Sequence, residues 1–295
     1  MVTIRVTQNM VTQQSLSSLQ SGLNQLARTQ EKLSTGKVIN RASDSPTEAT
    51  VAMKLRAQVA REEQYVRNAE NGLGWLSVVD STLGQMTDNV RRARELALQG
   101  ANAASTPETR EAIAVEIDQI REGLISQANT TYLDRPVFGG VTAGSRAFDA
   151  SGAYVGVDGA VRRTVADGVT VRLDVAGTSV VGPDGANLFD DLAALSTALR
   201  TGDQSGIGAG ADALRDRLTG ISTAQSTVGA AYNRAEAAIA QGNDRVLALR
   251  TELSQVEDAD LPATMVDLQM HEIAYQAALS ATSRVMQPSL VDFLR

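Results

Sequence analysis

Cysteine is absent from this chain of 295 residues, so it has no disulfide and no thiolate that could bind a metal or act as a nucleophile. Histidine occurs once, at His271, which excludes any site built on several histidines. No group of residues combines a nucleophile, a base and an oxyanion site. We therefore expect no catalytic residue, no metal and no cofactor, and we interpret His271 as a surface or inter-subunit residue.

Long apolar runs and strong positive charge are also missing. No stretch approaches the ~20 apolar residues of a membrane span, and the N-terminal stretch MVTIRVTQNMVTQQ lacks the apolar core of a secretory signal. The net charge is −7, and no basic stripe with interleaved aromatic residues is present. The sequence therefore predicts neither membrane insertion, nor classical secretion, nor nucleic-acid binding.

Aromatic residues make up only 3% of the chain, whereas hydrophobic residues make up 43%. This composition favours long helices that meet through small and aliphatic side chains. Near the N-terminus, apolar residues recur at steps of three and four until Gly36 and Pro46 break the pattern. The spacing predicts a helix that pairs with another helix. The residues of this stripe are Leu16, Leu19, Leu23, Leu26 and Leu33.

Three further helical stripes follow. One runs from Leu76 to Ala97, and a second runs from Ile113 to Ala128 after a predicted start at Ser105 or Thr106. The third runs from Leu214 to Val256 with a mean step of about 3.5 residues, the period of a left-handed coiled coil. Two aromatic residues on these stripes, Trp75 and Tyr232, are predicted to be core residues.

Between these helices the pattern changes. Valine and threonine alternate with polar residues among many glycines, as in DGAVRRTVADGVTVRLDV and VVGPDGANLF. Short strands joined by turns fit this pattern, so residues 132–188 are predicted to be a small β-rich insertion. A short helix is predicted over Leu188–Leu199. The stretch GIGAGA that follows matches a dinucleotide fingerprint, but it follows a helix rather than a strand, so we do not predict cofactor binding there.

The chain ends with a separate helical unit. The joint EDADLP lacks the calcium-loop pattern, so we interpret Glu257, Asp258 and Asp260 as helix-start charges. A new apolar stripe begins at Leu261. The first and last helices are predicted to pair, with their remaining apolar surface covered by other subunits. On this second segment the candidate assembly residues are Leu268, Tyr275, Leu279, Met286, Leu290 and Leu294.

These boundaries predict five segments. They are an N-terminal coiled-coil helix (1–42), the first half of a helical middle domain (43–131), the β-rich insertion (132–188), the second half of the middle domain (189–257) and a C-terminal coiled-coil helix (258–295).

Several stretches resemble flagellar axial proteins of the flagellin superfamily. In chain order they are LARTQEKLSTGKVINRASDSPTEA, YVRNAENGLGWLSVVDSTLGQM, RRARELALQGANAASTPETREAIAVEIDQI, VGAAYNRAEAAIA and LSQVEDADLPATMVDLQMHEIAYQAALSATSRVMQPSLVDFL. Within the superfamily, NTTYLDRPVFGG and the ending SLVDFL are more similar to the hook-filament junction proteins than to filament-forming flagellins. Pro288 departs from this pattern, because an apolar residue is expected there. The proline would end or kink the helix near Gln287.

The resemblance implies a mainly α, elongated rod with an inner coiled coil of both termini, a helical-bundle middle domain and a small outer β domain. It also implies a structural subunit that is exported through the growing flagellum and functions outside the cell. The implied partners are further copies of the chain, the preceding junction protein FlgK, flagellin and an export chaperone similar to FlgN. Two alternatives stay open at this point: a filament-forming flagellin, and a non-flagellar coiled-coil tethering protein.

Overall fold

The computed structural model describes residues 8–102 and 105–285, and its fold is mainly α, as predicted. The helices are α1 (Gln8–Thr35), α2 (Pro46–Gly100), α3 (Pro107–Ala128), α4 (Gly177–Val181), α5 (Leu188–Thr201), α6 (Gln204–Glu257) and α7 (Leu261–Val285). The strands are β1 (Thr131–Tyr132), β2 (Arg135–Pro136), β3 (Arg162–Ala166) and β4 (Val169–Arg172). They form two antiparallel pairs, β1 with β2 and β3 with β4.

The chain divides into two compact units. Unit 1 consists of residues 1–60 and 246–295, and unit 2 consists of residues 61–245. Both of the longest helices, α2 and α6, begin in one unit and end in the other. The finer division into five segments stays a prediction.

The core of unit 2 is built on the predicted stripes. Helix α3 packs against α5, and Thr106 caps the start of α3 by accepting a hydrogen bond from the Thr109 amide at 3.3 Å. Trp75 is buried, as predicted, but Tyr232 is 37% exposed, so that prediction was wrong. A tyrosine carries a polar hydroxyl group, so its partial exposure costs less than that of a purely apolar ring. The α2 stripe is no more than 1% exposed at Leu76, Val79, Leu83, Met86, Val90, Ala93 and Ala97.

The insertion shares this core rather than forming one of its own. The Phe148 ring lies edge-on to Phe189 of α5, with ring centroids 5.5 Å apart. The β3–β4 hairpin confirms the strands predicted in RRTVADGVTVR. The prediction of strands in VVGPDGANLF was wrong, because Val181 ends α4 and Asn187 caps α5 through a capping box. The stretch GIGAGA lies inside α6 and follows helix α5.

Candidate functional site: an assembly surface on the terminal helices

Helices α1 and α7 pack against each other within one chain, as the sequence predicted. On each helix, the residues that are less exposed than their neighbours recur at steps of three and four, which is the spacing of a coiled-coil contact. We call these residues the intrachain seam. On α1 they are Ser15, Leu19, Gly22, Leu26, Thr29 and Leu33, and on α7 they are Thr264, Leu268, His271, Tyr275, Ala278 and Thr282.

Small and polar side chains make up much of the intrachain seam. A methyl group placed on Gly22 would lie 3.5 Å from Cδ2 of Tyr275, an ordinary van der Waals distance, so the Tyr275 ring packs directly over α1 at this residue. Thr29 and Thr264 donate their hydroxyl groups to the carbonyl oxygens four residues earlier, those of Gln25 and Asp260, at 3.0 and 2.7 Å. Half of the intrachain seam is therefore not apolar, and several large apolar side chains of the two helices lie on other faces.

That remaining apolar surface is exposed. Leu16 and Leu23 on α1 are 57% and 50% exposed. Val266, Met270 and Ile273 on α7 are 58%, 60% and 68% exposed, and their spacing of four and three places them on one face of the helix. We call these two sets the outer apolar faces. Large apolar patches on a protein surface mark sites of interaction with other molecules.

The predicted assembly residues divide between these two surfaces. Leu19, Leu26, Leu33, Leu268 and Tyr275 lie in the intrachain seam and are partly buried within one chain. By contrast, Leu16, Leu23 and Leu279 are exposed, the last by 44%. Met286, Leu290 and Leu294 lie outside the described residues, as does Pro288. An inter-subunit role for any of them stays a prediction.

Sequence reasoning missed the outer apolar face of α7. Val266, Met270 and Ile273 form a second stripe beside the one that begins at Leu261. The assembly residues were predicted from that first stripe alone. The signal that could have found them is the presence of two interleaved apolar stripes on one helix, since a helix that contacts one partner needs only one.

The two units differ in how many of their large apolar side chains are exposed. Among the described residues, most of the strongly exposed large hydrophobic side chains lie in unit 1, although it is the smaller unit. Its buried hydrophobic residues among those described are Ile39, Ala49, Ala52, Leu55 and Val246. Unit 1 therefore has a small core of its own and a large apolar surface.

A short backbone pairing joins the loop after α1 to the joint between α6 and α7. The Val38 amide donates to the carbonyl of Glu257 at 2.7 Å, and the Ala259 amide donates to the carbonyl of Gly36 at 2.9 Å. Gly36 has φ = +68°, a conformation that glycine adopts without strain. We call residues 36–38 and 257–259, together with Arg56, the clasp.

Glu257 lies at the centre of the clasp with its side chain only 2% exposed. Its carboxylate oxygens lie 2.9 Å from Nζ of Lys37 and 2.6 Å from Nη2 of Arg56. The prediction that Glu257 is a helix-start charge was therefore wrong, because it is the last residue of α6 and pairs with two cations. The same prediction is confirmed for Asp260, whose Oδ1 accepts a hydrogen bond from the Ala263 amide at 3.1 Å in the first turn of α7.

Two opposing effects set the pKa of Glu257. Burial raises it, but the close contacts and the positive charges of Arg56 and Lys37 outweigh burial, so the pKa lies below its ordinary value of 4.5. Glu257 is therefore ionised at neutral pH, and the clasp is closed by charge as well as by backbone hydrogen bonds.

His271 lies in the intrachain seam, half-buried between α7 and α1, rather than on an open surface. It lines a polar hollow of about 350 Å³ together with Arg28, Thr29 and Lys32 of α1.

No group of three or more histidine and acidic side chains within residues 8–102 and 105–285 is arranged to hold a metal ion. None of the helices in these ranges is apolar enough over a sufficient length to span a bilayer.

The chain thus belongs to a class of mainly α proteins in which the first and last helices pair with each other and expose apolar side chains. Comparison with protein families identifies the family. The family model for the bacterial flagellin N-terminal helical region matches residues 6–140, and the model for the bacterial flagellin C-terminal helical region matches residues 211–294. The chain belongs to the flagellin family.

Individual relatives cover nearly the whole chain. It is 26% identical over 312 aligned residues to flagellar hook-associated protein 3 of Escherichia coli, covering 97% of this chain and 98% of the relative. It is 28% identical to the flagellar filament 33 kDa core protein of Treponema phagedenis, covering 90% and 91%. The crystal structure of Bacillus cereus FlgL superposes with a TM-score of 0.61 at 26% identity, covering 68% of this chain and 99% of that one.

Proposed function

We propose that this protein is a structural adaptor of the bacterial flagellum that joins the hook to the flagellin filament. Its assembly would proceed through the outer apolar faces of α1 and α7. The observation that carries this proposal is the exposure of these faces on helices already paired with each other, since no other described segment of the chain covers them. The likeness to hook-associated protein 3 and to FlgL supports the position at the junction.

Burial of the outer apolar faces supplies the driving force. Each large apolar side chain that becomes fully buried contributes about 1.5–3 kcal/mol. Part of this gain offsets the loss of translational and rotational freedom on association. Because both helices expose apolar side chains, one subunit can contact more than one neighbour, as a closed ring or a helical assembly requires.

The partners we propose are those that the resemblance implies. Further copies of the chain would cover the outer apolar faces laterally, with FlgK on the side of the hook and flagellin on the side of the filament. Before assembly, an export chaperone similar to FlgN would cover α7, and the chain would leave the cell through the flagellar export apparatus. The function requires no catalytic step and no cofactor.

A second candidate is a filament-forming flagellin, favoured by the likeness to the filament core protein of Treponema phagedenis. The two functions differ in how far assembly proceeds. A junction subunit stops after a limited layer on the hook, whereas a flagellin adds subunits indefinitely.

Seeded assembly tests the proposal. Purified protein is added to hook fragments that end in FlgK, and to flagellin filament fragments, and the added length is measured by electron microscopy. We expect a short layer of fixed length on the hook ends, which then accepts flagellin. Long filaments of this protein alone would favour the flagellin, and a stable dimer in solution that adds to neither seed would favour the tethering protein.

A further inference from the structure

We propose that Glu257 is a positioning residue for assembly. Acting through Lys37 and Arg56, it would fix the ends of α1 and α7 that meet at the clasp, so that the two outer apolar faces are presented together. Protonation of its carboxylate would open the clasp. The assembly readout of this inference rests on the proposed function, whereas the structural readout on the free subunit does not.

The first argument is the arrangement of charge. The carboxylate of Glu257, at the end of α6, meets Lys37 from the loop after α1 and Arg56 from α2. Three separate elements of unit 1 therefore converge on one buried group. Removing one partner of a buried ion pair leaves an uncompensated charge, which is strongly destabilising. Here removal of the carboxylate would leave two cations facing each other, although each is about half exposed, which moderates the effect.

The second argument is the position of the clasp along the chain. Helix α1 ends at Thr35, immediately before the clasp, and α7 begins at Leu261, immediately after it. The backbone pairing thus joins the C-terminal end of α1 to the N-terminal end of α7. Bringing together segments so distant in sequence has an entropic cost that must be met before the helices can pair. Once the clasp is closed, the helices start in a fixed register.

The third argument is the composition of the intrachain seam. Half of its residues are glycine, serine, threonine or histidine and supply little apolar burial, so the seam specifies the register of α1 against α7 less strongly than an all-leucine contact would. A fixed starting point at one end therefore matters more than it would for a coiled coil with an all-leucine contact. The clasp supplies that starting point.

The dependence on pH follows from the direction of the pKa shift. The charged groups that face Glu257 are Lys37 and Arg56, and Asp258 follows it in the chain with its carboxylate bound to the Ser254 hydroxyl. Because the folded pKa lies below the ordinary value of 4.5, the stabilisation from Glu257 is complete above that value and is lost as the pH falls through the folded pKa. The two cations stay charged over this range.

Hydrogen exchange on the free subunit tests the inference, with Glu257→Gln compared with wild type and with Glu252→Gln. Glu252 lies on the exposed surface of the same helix, so its substitution controls for the loss of one carboxylate. For Glu257→Gln we expect exchange in residues 8–35 and 261–285 to be faster by about tenfold or more, as loss of a buried ion-pair partner implies. Fluorescence of the single tryptophan, Trp75, should report an unchanged core in unit 2.

The pH profile separates positioning from a general loss of stability. After correction for intrinsic exchange rates, wild-type protection of α1 and α7 should fall below about pH 4.5. In Glu257→Gln that step should be smaller, and what remains would come from other carboxylates of unit 1 such as Asp44, whose pKa is lowered by hydrogen bonds from the Arg41 and Asn40 amides. An equal step in both proteins, or unchanged protection of α1 and α7 in Glu257→Gln at pH 7, would overturn the inference.

A double-mutant cycle tests whether Glu257 acts through its ion pair with Lys37. Lys37→Met should weaken protection less than Glu257→Gln, because Arg56 still pairs with the carboxylate, and adding Lys37→Met to Glu257→Gln should cause no further loss. Strictly additive losses would contradict the inference. On hook ends, Glu257→Gln should be incorporated poorly at pH 7. If wild type also fails to bind hook ends, the proposed function fails, while the exchange results still decide the role of the clasp.

Discussion

Replacing Val266, Met270 and Ile273 together by serine should abolish incorporation of the subunit at hook ends and leave the free subunit folded. All three side chains are more than half exposed in the single chain and lie outside the intrachain seam, so their loss leaves the contact between α1 and α7 in place. In the assembly each would contribute about 1.5–3 kcal/mol if fully buried. Losing all three contributions would lower the affinity of the subunit for its neighbours by about a thousandfold or more.

A matched control uses three exposed polar residues of the same helix. Replacing Gln269, Glu272 and Gln276 by serine changes the same number of side chains on α7 and removes no apolar surface. We expect this variant to be incorporated normally. Helix content and hydrogen exchange of α7 should match between the two variants in free solution. Normal incorporation of the first variant would show that the outer apolar face of α7 is not an assembly surface.

The second large effect is expected in the core of unit 2. Leu83 on α2 is 0% exposed and lies among the stripe residues of the central cluster. Leu83→Ala should lower the free energy of unfolding by about 2–5 kcal/mol, through lost apolar burial and the cavity that remains. The change is measured by urea unfolding monitored through the fluorescence of Trp75, which is 3% exposed in the same cluster.

Leu98→Ala on the same helix is the control, because Leu98 is 54% exposed. Its free energy of unfolding should stay close to that of wild type. Equal losses for Leu83→Ala and Leu98→Ala would contradict the assignment of the α2 stripe to the core.

The helices of unit 2 could be predicted from the sequence because each has one apolar stripe that faces one core. The stripe from Leu76 to Ala97 is buried throughout. In the stripe from Leu214 to Val256, the side chains of Leu214, Ile221 and Ala235 are fully buried. The start of α3 could also be predicted, because local chemistry decides it: Thr106, one of the two predicted start residues, caps the helix.

The secondary structure of the insertion was harder to predict from the sequence, because a pair of valines suits a strand or a buried helix end equally well. Val180 and Val181 are 3% and 1% exposed and pack into the shared core as part of α4. Their structure therefore depends on tertiary contacts with residues distant in the chain, which override local preference.

The terminal helices show a different limit. Leu16 and Leu23 alternate with Leu19 and Leu26, so either set could have faced α7. The choice depends on contacts such as that between Gly22 and Tyr275, which no local pattern reveals. The clasp was hidden for the same reason, since Lys37 and Arg56 are about 200 residues from Glu257 and only the fold brings them together.

The central claim is that neighbouring subunits cover the outer apolar faces of the terminal helices. Because the chain has no cysteine, a single Ile273→Cys substitution gives an unambiguous probe at a position that is 68% exposed in one chain. The measurement is the rate of thiol labelling in the free subunit and after incorporation at hook ends, with buried Leu83→Cys as the reference for slow labelling. We predict rapid labelling of the free subunit and labelling as slow as that reference after incorporation. Equally rapid labelling in both states would contradict the claim.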